Sequence, residues 1–133
     1  MFIMNHIKKV GGLALLSSGL FVSAQAFAAN TCDNTYTQTD INQCIAAELA
    51  VEDQKLNQSY RNFQRLLNSS EKQQLKTVQL AWIDFRDKAC QFSAHSVRGG
   101  SAYPMVLNGC LTTYTQQRRV QLDADIENIK RDR

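Results

Sequence analysis

LNSSEKQQLKTVQLAWIDFRDKACQF, residues 67–92, is the stretch on which the fold turns. Leu75, Val78, Trp82, Phe85, Ala89 and Phe92 recur at alternating spacings of three and four. That is the period of one helix face, not of a strand. Ser70-Glu71-Lys72-Gln73 has the form of a capping box, with Gln73 placed to reach back to the cap, and predicts a helix start at Ser70. Asn68 and Ser69 just before it compete for backbone hydrogen bonds and predict the end of a preceding helix.

Working outward, the preceding segment carries Ile41, Ile45, Leu49, Leu56, Tyr60, Phe63 and Leu67 at helical spacing, with Thr39 or Asp40 able to cap it. The connection between these two helices is short, so they should pack close to antiparallel. A third helix is predicted from about Met105 to Lys130, marked by Leu107, Leu111, Tyr114, Leu122, Ile126 and Ile129. Arg118 fills the one gap in that stripe. Residues 93–109 form the long loop, with Gly99-Gly100-Ser101 at its centre and Tyr103-Pro104 favouring an extended approach to the last helix. The expected fold is all-α, a small three-helix antiparallel bundle.

Residues 1–28 read as a secretory signal peptide: a basic start with Lys8 and Lys9, an apolar run, then small residues around Ala24, Ala26 and Ala28. Residues 29–133 would be the working domain, exported to the periplasm or beyond. No cysteine stands directly after that segment, so neither a lipid anchor nor another stable membrane anchor is expected. The domain then holds 13 Lys and Arg against 12 Asp and Glu, a balance too even to predict nucleic acid or an anionic membrane as partner.

Four cysteines, Cys32, Cys44, Cys90 and Cys110, lie in this domain. In an exported chain an even count reads as two disulfides stapling a small core. Four cysteines allow three connectivities, and the sequence does not choose among them. The local pairs Cys32–Cys44 and Cys90–Cys110 are favoured. No Cys-x-x-Cys is present and the domain's one histidine is His95, so neither a zinc site nor another cofactor is expected.

The chemistry search returns little. His95 alone, in a Gly/Ser-rich loop, cannot build a nucleophile–base pair from oxidised cysteines. Glu48 with Glu52, and Asp84 with Asp87, have helical spacing and could serve a small hydrolase, but acids so spaced are normally a solvated face. No catalytic residue is predicted. Arg86 and Arg118 lie in or beside apolar stripes. They are expected to lay their stems on the core and pair with Glu48, Glu52 or Asp53 of the first helix.

Taken together, these residues resemble the LprI-type lysozyme-inhibitor domain of exported bacterial proteins. The resemblance rests on Cys32, Thr39-Asp40-Ile41-Asn42-Gln43-Cys44, Glu48, Asp53 and Tyr60. It continues through Ala81-Trp82-Ile83, Phe85-Arg86-Asp87, Cys90, Gly99-Gly100-Ser101, Cys110, Thr115, Arg118 and Leu122. It implies a small helical envelope domain that binds a protein, with lysozyme of the chicken type as the partner. The 93–103 loop, through His95, Arg98, Ser101 and Tyr103, would enter the enzyme's cleft. An assembly or stress factor of the cell envelope is the competing expectation.

Overall fold

The computed structural model describes Cys32 and residues 37–132; the N-terminal segment read as a signal peptide lies outside the described residues. Three helices follow in order: α1 Gln38–Arg65, α2 Ser69–Ser93 and α3 Tyr103–Asp132. A single 3-10 turn, His95–Val97, sits between α2 and α3. The all-α expectation holds, and both disulfides form in the favoured local pairing.

The helix ends differ in detail from the sequence reading. Thr37 caps α1, its Oγ1 accepting from the Asp40 amide at 3.1 Å. The capping box of α2 uses Asn68 and Glu71: the Asn68 side chain accepts from the Glu71 amide at 2.9 Å, and Glu71 accepts from the Asn68 amide at 2.8 Å. The box therefore starts two residues before Ser70. A glutamate near the positive end of the helix dipole outcompetes a neutral glutamine. Pro104 enters the first turn of α3 rather than preceding the helix; it costs nothing there, because a first-turn amide lacks an intrahelical partner anyway.

The chain runs up, down and up again. Gln38 meets Met105 and Glu52 meets Arg119, so α1 and α3 lie parallel with a constant offset of 67 residues. Gln79 meets Arg118, and Cys90 meets Cys110, so α2 runs antiparallel to α3.

Three zones succeed one another along the bundle. The apolar core lies toward the α1–α2 turn: Leu56, Phe63, Leu75, Leu122 and Ile126 are buried, with Tyr60, Leu67, Trp82 and Ile129 packed against them. A polar seam crosses the middle. Both disulfides close the opposite end, where apolar burial is thin and Cys90 and Ala94 are fully buried. Cross-links stand where the core runs out and stabilise the end with the least apolar burial.

The inward face of α2 differs from the expected one. Val78, Phe85 and Phe92, read as core positions of the second helix, are 53%, 56% and 82% exposed. The inward side of α2 is formed by Leu75, Gln79, Trp82, Arg86 and Cys90. At about 100° per residue these centre close to a quarter-turn away from the Val78–Phe85–Phe92 line. The apolar stripe was real, but Gln79 and Arg86, both turned inward, shift the phase of the helix.

Candidate partner-binding site

Ala94 to Ala102 join α2 to α3 at the disulfide end. The backbone turns twice: Arg98 donates its amide to the His95 carbonyl at 3.2 Å, and Gly100 donates to Val97 at 3.0 Å. Gly99 has φ +80°, a conformation that side-chain-bearing residues resist. A Cβ on Gly100 would stand 3.2 Å from the Val97 carbonyl oxygen, so the second glycine admits the tight approach.

The loop is anchored rather than loose. Cys90–Cys110 ties its two ends, with a Cα–Cα distance of 5.5 Å. Asn42 on α1 donates from Nδ2 to the Ser101 carbonyl at 2.9 Å. Gln38, one turn earlier, donates to Asn42 Oδ1 at 3.0 Å and reaches Met105 Sδ at 3.7 Å. The Cys32–Cys44 disulfide fastens the start of α1 beside it. Of the four loop residues singled out from the sequence, His95, Arg98 and Ser101 are exposed, whereas Tyr103 opens α3 and is half-buried. The Ser101 carbonyl is engaged by Asn42. Asn42 and Gln38 were missed as loop anchors because a contact across 59 residues leaves no local signal.

The polar seam accounts for the arginines. Arg86 donates to Asp87 at 2.9 Å, to Thr115 Oγ1 at 3.1 Å and, at 3.5 Å, to Asp53 of α1. Its guanidinium also lies 5.1 Å from the centre of the Trp82 ring. Arg118 departs from the ion-pair expectation. It donates to the Gln79 and Gln121 amide oxygens at 3.0 and 2.6 Å, neither of them on α1. Burial lowers the pKa of Arg118 and Asp125 opposes that shift, while the guanidinium stays charged at neutral pH. Its neighbour Arg119 takes the α1 carboxylate instead, reaching Glu52 at 3.4 Å and Asp123 at 3.3 Å. The two residues project about 100° apart, and only the second faces α1 with its charge.

Glu52, Asp84 and Asp87, among the acids considered for hydrolysis, are engaged by cations. Glu52 holds Lys55 at 2.7 Å as well as Arg119, and Asp84 holds Lys88 at 2.8 Å. Asp87 holds Arg86 at 2.9 Å. Glu48 places a carboxylate oxygen 3.3 Å from Cys32 Sγ. With Cys44 these form a trio of metal-ligand types within 4.8 Å. Both sulfurs are in the disulfide and carry no thiolate, so the oxidised chain has no metal site there.

The described residues form a helical domain stapled at one end by two disulfides, with a seam of paired charges across its middle. The comparisons give that class a family. The chain belongs to the LprI lysozyme-inhibitor family, whose model matches residues 28–122. It is also 30% identical over 112 residues to an uncharacterised protein of Rhizobium meliloti (strain 1021), covering 74% of this chain and 81% of that protein. No solved structure matches. No helix among the described residues is long and apolar enough to cross a membrane.

Proposed function

We propose that this chain is an exported, non-enzymatic protein of the bacterial envelope that binds and inhibits lysozyme of the host chicken type. Family membership supports inhibition, and the two disulfides support an oxidising compartment. The observation that carries the mode of action is the anchored 94–102 loop, held by Cys90–Cys110 and by Asn42. A loop fixed before contact loses little conformational entropy on docking. Exposed Arg98 and His95 present donors to a cleft that holds two carboxylates. Ser101 supplies a hydroxyl, and half-buried Tyr103 at the start of α3 serves as the aromatic anchor. The expected mode is occlusion of the substrate path, with Arg98 as the charge partner.

The test is lysozyme activity on cell walls with the purified oxidised chain at micromolar concentration. Inhibition is expected, and Arg98→Ala should weaken it about tenfold or more without moving the unfolding midpoint. Unchanged lysozyme activity overturns the reading. A second reading, an assembly role in the envelope, draws on the exposed apolar line of α2.

A further inference from the structure

The Val78–Phe85–Phe92 line is an interaction surface, and its own chemistry points to its occupant. The three side chains repeat every seven residues and are at least half exposed. Exposed Gln74 and Ala81 flank them on the same side of α2. Phe85 is braced edge-on by Tyr114 of α3, with ring centres 5.8 Å apart, so the patch has a fixed shape. An apolar residue repeated every seven and facing water is one half of the pattern by which two helices pair.

We propose that this face pairs with a second copy of the chain, α2 against α2, antiparallel about Phe85. The sequence is nearly self-complementary around that residue. A two-fold axis there sets Val78 opposite Phe92 of the second copy, a smaller side chain against a larger one. Ala81 falls opposite Ala89, and Phe85 meets itself. The charges agree. Asp84 and Lys88 lie on one flank of the line and are exposed, at 64% and 73% of their side chains. Within one copy they pair at 2.8 Å. In an isologous antiparallel contact the same flanks face each other, so Asp84 meets Lys88 of the second copy, and Lys88 meets its Asp84. A parallel pairing would instead stack Phe92 on Phe92 and Val78 on Val78. The line spans about 21 Å of helix, so the contact is small and the dimer is expected to be weak, with dissociation in the micromolar range.

Sedimentation equilibrium of the purified oxidised chain over roughly 1–100 µM tests this. A monomer–dimer equilibrium is expected. Phe85→Lys and Phe92→Glu should each weaken it about tenfold or more. Thermal unfolding of Phe92→Glu should be unchanged, because that side chain is 82% exposed, whereas Phe85→Lys also gives up its contact with Tyr114. Asp84→Lys should weaken it as well, and adding Lys88→Asp should restore it. That restoration is the signature of a self-complementary flank. Phe85→Cys should form a symmetric intermolecular disulfide on oxidation. A monomer throughout the range overturns the proposal, and so does a dimer indifferent to Phe85→Lys and Phe92→Glu. Failure of the charge swap to restore association overturns the antiparallel register. If the chain is monomeric and Phe92→Glu abolishes lysozyme binding, the face belongs to lysozyme and self-pairing is wrong.

Discussion

Arg86 touches more of the fold than any other side chain in the seam. It joins α2 to α1 through Asp53, to α3 through Thr115, and lies on Trp82. Thr115 is fully buried, so removing its donor leaves a hydroxyl with no water to turn to. Arg86→Ala is expected to destabilise the domain by about 2–3 kcal/mol in denaturant unfolding. Arg86→Lys should recover little, because a single ammonium cannot reach three acceptors in different directions. Gly99 makes a contrasting case. Nothing lies within 4 Å of a Cβ placed there, so Gly99→Ala would clash with nothing. Its cost should be that of the positive φ alone, about 1 kcal/mol, read from the same titration.

At the scale of the helix, the two candidate capping boxes of α2 give an internal comparison. Asn68→Ala removes the observed cap and should cost about 1 kcal/mol, whereas Ser70→Ala should stay within about 0.5 kcal/mol. Equal losses would mean that the helix starts elsewhere. The three helices and their approximate spans were legible in the sequence because periodicity and polar breaks are local. The rotational phase of α2 was not. It depends on Gln79 and Arg86 turning inward to meet Arg118 and Thr115, partners 39 and 29 residues away. The same blindness exchanged the roles of Arg118 and Arg119: hydropathy marks a gap in a stripe but not which neighbour finds an acid. The loop was legible as a loop from its glycines, but its anchoring by Asn42 was not.

For the molecule as a whole, stability divides between an apolar end and a covalent end. The chain-entropy estimate for closing a loop with the 20-residue separation of Cys90–Cys110 is about 3 kcal/mol. Replacing both cysteines by alanine should lower unfolding stability by roughly that amount, as measured by thermal melting. Inhibition, if the loop carries it, should fall further than the stability loss explains, since the loop loses its fixed base. The parallel pairing of α1 and α3 adds a consequence about time. Both helices begin at the cross-linked end and finish together at the other, so local opening is free to start at their C-terminal turns and is checked at Cys110. Amide protons should therefore trade with deuterium fastest near Lys130 and progressively more slowly back toward Thr112. The end proposed to meet lysozyme would be the last to lose its shape.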